Sequence, residues 1–168
     1  MKILFLVMLF PAFCFSQRSV SKQIKEQRRE DRLTADTMNF PDPFVFMYID
    51  TIGLSKTTIY TKSSQWLITV MGKNPKHVQV LDSSTGKIII TDLEIFKNTT
   101  EVLTIDIKEG KYRVTLDNCK YSVRGDDYLP IYAMKDSKNT RLKKYLISQS
   151  NNAIFDSYKE FLSRKDDF

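Results

Sequence analysis

Apolar and polar residues alternate along the middle of the chain, and this alternation predicts a β-hairpin. Apolar side chains occupy odd positions in residues 101–108 and even positions in residues 111–116. A two-residue turn between the segments fixes the register. The apolar pairs are then Leu103 with Leu116, Ile105 with Val114, and Ile107 with Tyr112. Asp106 lies opposite Arg113 on the other surface, so both faces of the hairpin are chemically matched.

A helix is predicted before the hairpin. Ser55 is a suitable N-cap because its hydroxyl can accept a hydrogen bond from a backbone N–H one turn later. The helical spacing continues to about Met71. Ile59 and Trp66 fall on its apolar face, whereas Lys62 is assigned to the polar remainder.

The elements on either side follow from composition and spacing. Strands are predicted at Phe44–Ile49, His77–Leu81 and Lys87–Phe96, with loops at 98–100 and 124–136. Beyond Asp117 the apolar phase shifts from even to odd positions, which indicates a β-bulge near Asp117-Asn118. From about Ser137 the spacing is helical again, and Asn151-Asn152 is the predicted break.

The element order β-α-β-β-β-β-α predicts the fold class. An α+β domain, with a curved antiparallel sheet of about five strands and both helices on one face, is the simplest arrangement. The other surface of the sheet, which we term the open face, then presents polar side chains to solvent. The candidate binding residues on it are Thr104, Asp106, Lys108, Lys111, Arg113 and Thr115.

The amino terminus has the pattern of a secretory signal. Lys2 precedes an uncharged, mainly apolar run, Ile3–Phe15, which Ser16 follows. The run is shorter than the roughly 20 residues of a membrane-spanning helix. We expect export and cleavage that removes residues 1–16, leaving no transmembrane helix. A lipoprotein acylated at Cys14 is the alternative, which the bulky Phe13 disfavours.

A charged leader, 17–42, precedes a single α+β domain, 43–168. The leader has few apolar side chains, so it is expected to be a frayed helix or disordered. Its basic residues are Arg18, Lys22, Lys25, Arg28, Arg29 and Arg32. A basic segment of this kind suits an anionic surface such as lipid headgroups, although a solvated helical leader is the simpler interpretation.

The candidate catalytic residues do not form a recognisable motif. Cys119 and His77 are the only thiol and imidazole after residue 16, which excludes an internal disulfide and a four-ligand zinc site. Neither a metal nor a cofactor is expected. The acidic residues available for hydrolysis are Asp106, Asp117, Asp126 and Asp127.

Several segments resemble one known family. They are Gly53-Leu54-Ser55-Lys56 with Gln65-Trp66-Leu67, then residues 80–89, then residues 110–118. They are similar to a family of exported bacterial domains of unknown function with a TATA-box-binding-protein-like fold. The resemblance covers about 44–123. It implies a Gram-negative envelope location, periplasmic or extracellular, and helices on the convex side of the sheet. It implies no activity and no functional residues.

Binding is the function that these observations favour. We expect a non-catalytic or structural module of the cell envelope that meets a protein, lipid or glycan. The alternatives are a carboxylate-based envelope hydrolase, or an inhibitor-like domain that presents residues 124–136. Nucleic acid is not expected, since Asp106 interrupts the cations of the open face and the hairpin offers no aromatic wedge there.

Overall fold

A computed structural model describes residues 4–40, 44–69, 72, 78–124, 127–135 and 137–164 of the 168-residue chain. The elements in chain order are α1 (Leu4–Thr37), β1 (Phe46–Thr51), α2 (Lys56–Thr69), β2 (Val78–Asp82), β3 (Lys87–Leu93), β4 (Thr99–Lys108), β5 (Lys111–Arg124), β6 (Asp127–Pro130) and α3 (Lys138–Ser163). A 3-10 turn, Ile131–Ala133, lies between β6 and α3. The expected α+β class is confirmed.

The strands form one antiparallel sheet in the order β1-β5-β4-β3-β2, and β6 pairs with the later part of β5. About five strands were expected, and the described residues form six. The loop prediction for 124–136 was wrong at Asp127–Pro130, where β6 occupies a sheet edge. Pro130 has no backbone N–H to donate, and it is tolerated there because the outer side of an edge strand has no partner strand.

The hairpin register is confirmed at each predicted pair. Ile105 lies opposite Val114, and Asp106 opposite Arg113. The predicted bulge is also present: the β4–β5 register shifts between Thr100 and Val102, and Asn118 adopts a left-handed φ of 50°. The bulge returns Cys119 to the face that carries the core, which explains the phase change in the sequence.

Two loop boundaries differ from expectation. Residues 99 and 100 belong to β4 and not to a loop, and Thr99 is fully buried. Strand β3 ends at Leu93, before the predicted Phe96. Its pairing with β4 becomes irregular beyond Ile90, where Asp92 takes a left-handed φ of 53°. Both differences reflect backbone irregularities that side-chain alternation does not reveal.

Helices α2 and α3 cover one face of the sheet, and the core lies between them and the strands. The Trp66 ring meets the Tyr158 ring edge to face, with centroids 5.0 Å apart. Ser55 accepts a hydrogen bond from the Thr58 N–H as the predicted N-cap. Lys62 was assigned to the polar side, but it is only 5% exposed. Its ammonium donates to the Arg164 carbonyl at 2.7 Å, beyond the last turn of α3.

The predicted break at Asn151-Asn152 is absent, because α3 continues through both residues to Ser163. Asn151 is fully buried and donates to the Glu101 carboxylate at 3.0 Å. Its amide meets a buried partner on β4 instead of competing for the helix backbone, so the helix persists.

Helix α1 is attached to the domain near its carboxyl end. The Arg141 guanidinium on α3 donates to the carbonyls of Ala35, Asp36 and Met38 at 2.8–3.2 Å. Ala35 is fully buried at this junction. Most of the predicted leader thus lies in a helix that packs against α3. No helix within the described residues is long and apolar enough to cross a membrane.

Candidate functional site

The open face carries all six predicted binding residues. Side chains of β4 and β5 alternate between the core and this surface, so Thr104 and Thr115 lie opposite each other in its middle. Lys108 and Lys111 face each other at the hairpin end and are exposed. The two strands therefore provide a surface that changes from hydroxyls to cations along their length.

One carboxylate organises the charges of this face. Both Nε and Nη2 of Arg113 donate to Oδ2 of Asp106, at 3.2 and 2.7 Å. The Lys87 ammonium lies 3.7 Å from Oδ1 of the same carboxylate. A shallow depression of about 230 Å³ adjoins this cluster, with Lys108, Lys111 and Ile49 in its lining. The lining of this depression contains three cations and one acid, so the depression carries excess positive charge.

Two exposed apolar side chains on the open face were not predicted from the sequence. Strand β1 pairs with β5 so that Met47 lies opposite Thr115 and Ile49 opposite Arg113. Met47 is 55% exposed and Ile49 is 61% exposed. Their odd positions within the 44–49 apolar run were the available signal, but the partner strand had to be known to assign a face. The open face thus joins an apolar strip to a cationic patch.

The basic residues of the leader form a second surface. Lys25, Arg28, Arg29 and Arg32 line a groove between α1 and the start of α3, where Lys138 adds a further cation. Lys22 lies on the same helix and is exposed, whereas the side chain of Arg18 is outside the described set. These residues were predicted individually from the sequence, and their helical spacing was the signal that they share one side of α1.

A third polar cluster is buried under α3. Glu101 is 1% exposed, and burial raises the pKa of its carboxyl to about 7, although the hydrogen bond from Asn151 opposes the shift. The Cys119 thiol lies beside it. Burial and the neighbouring Glu101 charge raise the pKa of this thiol as well. A thiol kept protonated and buried is a poor nucleophile, which fits a structural role for Cys119.

The acidic candidates for hydrolysis are not assembled. Asp106 and Asp117 share the open face, but four residues of strand separate them, or about 13 Å. Paired glycosidase carboxylates lie about 5–9.5 Å apart. Asp126 and His77 lie outside the described residues, and so does the side chain of Asp127. Among the described residues no cluster of three or more acidic, Cys or His side chains could hold a metal ion.

Two of the segments that carried the family resemblance meet at one corner of the fold, beside the turn of the β4–β5 hairpin. The Glu109 carboxylate accepts from the Lys56 N–H at the start of α2, and the Lys56 ammonium donates to the Ser84 carbonyl. Gly86 has a φ of 73°, and a Cβ there would approach the Ile107 carbonyl oxygen to 2.4 Å. These contacts hold the start of α2 against two turns, so their role is structural.

With the sheet, helices and corner contacts described, the chain can be compared with known proteins. Residues 47–122 match the family described as a domain of unknown function (DUF4468) with TBP-like fold. The resemblance that the sequence indicated is confirmed. Among functionally curated proteins, none matches the chain.

Two crystal structures share the fold. One is a DUF4468 family protein from Bacteroides ovatus ATCC 8483, with a TM-score of 0.55 and 14% identity over 74% of this chain and 88% of that one. The other is a TBP-like protein from Parabacteroides distasonis ATCC 8503, with a TM-score of 0.50 and 12% identity over 69% and 92% of the respective chains. At these identities the likeness extends to the fold alone.

Proposed function

We propose that this protein is an exported, non-catalytic binding module of the cell envelope. Its open face receives a protein partner that carries acidic groups beside an apolar segment. The observation that carries this proposal is the exposure of Met47 and Ile49 on a sheet surface whose neighbouring residues are cationic. Apolar side chains bordered by charges are the usual composition of a protein-binding patch.

The charge of the open face selects the kind of partner. Arg113 is engaged by Asp106, while Lys108 and Lys111 are exposed at the end of the hairpin. A partner with acidic side chains would approach these two ammonium groups favourably, and an apolar segment would cover Ile49. The apolar contact would supply affinity, and the charges would supply orientation and a salt-dependent association rate.

Export is part of the proposal and rests on the amino-terminal pattern of Lys2, the apolar run 3–15 and Ser16. Amino-terminal sequencing of the protein from its native host should begin at Gln17. A mature chain that begins with acylated Cys14 would establish a lipoprotein instead. A chain that retains Met1 would contradict signal cleavage.

The binding surface is tested by capture from a native envelope extract with three proteins. Wild type and Leu81→Ser, which alters an exposed apolar residue outside the open face, should retain the same partner. Met47→Ser combined with Ile49→Ser should lose it, and high salt should weaken capture by wild type. A synthetic acidic–apolar peptide from the captured partner should bind directly, and its basic counterpart should not.

Capture by the double variant could also contradict the proposal. If the Met47→Ser and Ile49→Ser double variant is folded and still captures every protein that wild type captures, the open face is not the binding surface. Turnover of an envelope substrate that disappears in a folded Asp117→Asn variant would favour the hydrolase alternative.

A further inference from the structure

The groove between α1 and α3 has the composition of an anion-binding site. Its volume is about 470 Å³, and its lining residues are Lys25, Arg28, Arg29, Arg32, Leu33, Asp36, Lys138 and Asn139. Small-molecule sites span roughly 300–1,000 Å³, so the groove is large enough to receive a ligand. Five cations against one carboxylate leave a formal charge of +4 on its walls.

The helical repeat places the cations on one side of α1. At 100° per residue, the basic positions from Lys22 to Arg32 fall within an arc of about 120° on α1. The nearby acids Glu26, Glu30 and Asp31 all fall outside that arc. The leader is therefore not uniformly charged: one side of α1 is cationic, and this is the side that lines the groove.

The groove has a fixed outer wall because α1 is attached close to it. Arg141 donates to three carbonyls at the end of α1, and Ala35 is buried there. Arg32 precedes Ala35 by one helical turn, and Arg28 precedes it by two. The segment of α1 that carries the cations is thus held near Lys138 before any ligand arrives, which lowers the entropic cost of binding.

Among the described residues, the arginines of the groove lack carboxylate partners of the kind that Arg113 and Arg164 have. Arg113 pairs with Asp106, and Arg164 pairs with Glu160 at 2.9 Å. Within the described part of the chain, no ion pair or side-chain hydrogen bond involves Arg28, Arg29 or Arg32. Like charges in one concavity repel each other, and a bound anion would remove that repulsion.

We infer that this groove binds a compact phosphate-bearing anion. Three guanidinium groups match phosphate oxygens because each can donate two parallel N–H bonds, which an ammonium cannot do. The phosphate belongs either to a lipid headgroup or to a soluble phosphate compound. This site is on α1 and α3, so it is separate from the open face and does not depend on the function proposed for that face.

The test uses the protein purified from its native host and two phosphate sources. Calorimetric titration with inorganic pyrophosphate measures the soluble source. Sedimentation with phosphatidylcholine vesicles that contain phosphatidic acid measures the lipid source, and charge-matched vesicles that contain oleate are the comparison. Binding to pyrophosphate assigns a soluble ligand, whether or not the phosphatidic acid vesicles also bind. Binding to the phosphatidic acid vesicles but not to pyrophosphate assigns a lipid headgroup. Either result supports a phosphate site.

Matched variants separate the groove from general charge attraction. Arg28→Gln with Arg32→Gln should weaken binding by about tenfold or more, since hydrogen bonds to charged groups are strong. Lys97→Gln with Lys120→Gln removes the same charge elsewhere and should change binding by about twofold or less. Arg28→Lys with Arg32→Lys keeps the charge and should give an intermediate loss. Thermal melts establish that each variant is folded.

Three outcomes would overturn the inference. The first is equal binding to the oleate and phosphatidic acid vesicles. The second is an equal loss in the Lys97/Lys120 control and the Arg28/Arg32 variant. The third is no binding of either phosphate probe to a folded wild-type protein at physiological salt.

Discussion

Two carboxylates of strand β4, Glu101 and Asp106, lie five residues apart and have opposite surroundings. Asp106 is on the open face, where Arg113 donates to it at 2.7 Å and Lys87 is nearby. Glu101 is on the face that the helices cover, where it is 1% exposed and receives a hydrogen bond from Asn151. The difference arises because an odd separation along a strand places side chains on opposite faces.

The type of a charged residue does not by itself define what the residue contributes to stability. An exposed ion pair such as Asp106–Arg113 contributes little to stability, because water competes for both groups. A buried carboxylate is costly, so Glu101 favours its neutral form and its pKa rises to about 7. A proton on Glu101 would also turn Oε1 into a donor. Within the described residues, Oε1 and the buried Asn151 Oδ1 otherwise have no hydrogen-bond partner.

The largest expected effect comes from the core beneath these carboxylates. Ile105 follows Glu101 and precedes Asp106 in the sequence. It is fully buried on the helix-covered face. Ile105→Ala should lower the free energy of unfolding by about 2–5 kcal/mol, as buried large-to-small changes do. Ile49→Ala on the open face should change it by about 0.5 kcal/mol or less. Urea melts measure both, and a larger effect at Ile49 would reverse the assignment of faces.

The second effect is a pH dependence that originates at Glu101. Between pH 4.5 and about 7 the folded protein holds a proton on this carboxyl, whereas the unfolded chain releases it. The folded state binds more protons in that window, so stability should fall as the pH rises through it. Because the pKa of this carboxyl is raised from 4.5 to about 7, the loss is roughly 3 kcal/mol and is nearly complete at about pH 8. Urea melts at intervals from pH 4 to 8 measure it.

Variants assign this pH dependence to one face. Glu101→Gln keeps the size and the hydrogen bonding of a neutral side chain, so it should remove the loss and leave the protein more stable than wild type at pH 8. Asp106→Asn, which changes the carboxylate on the open face, should leave the loss in place. An unchanged slope in Glu101→Gln would show that the buried carboxyl is not its origin.

A smaller effect than at Ile105 or Glu101 is expected at the exposed ion pair. Asp106→Ala should cost less than about 1 kcal/mol, because the Arg113 guanidinium can return to water. The same denaturant melts measure this change, and added salt should reduce the difference from wild type. A cost that matches Ile105→Ala would mean that the open face is covered in solution.

Much of this contrast between faces could be read from the sequence, because local alternation encodes it. The hairpin register, the bulge at Asn118 and the Ser55 cap follow from neighbouring residues. The strand β6 and the continuity of α3 at Asn151 could not be read in this way. Both depend on partners distant in sequence, β5 for the strand and Glu101 for the amide.

The candidate surfaces show the same division. The six polar residues of the open face were predicted because they alternate with the core residues of one hairpin. Met47 and Ile49 were not, since their face is set by the pairing of β1 with β5 across more than sixty residues of chain. The leader cations were named, but the groove they line was not, because Arg141 and Lys138 of α3 define its position.

The sequence by itself determined the local periods: two residues per repeat in the strands, about 3.6 in the helices, and the caps and turns between them. Those periods determine which side chains of one element share a surface. Tertiary structure alone decided what covers each surface, and hence that Glu101 is buried while Asp106 is solvated. The physical reason is that burial and the pKa shifts it causes depend on the packing of distant segments, which a local pattern does not specify.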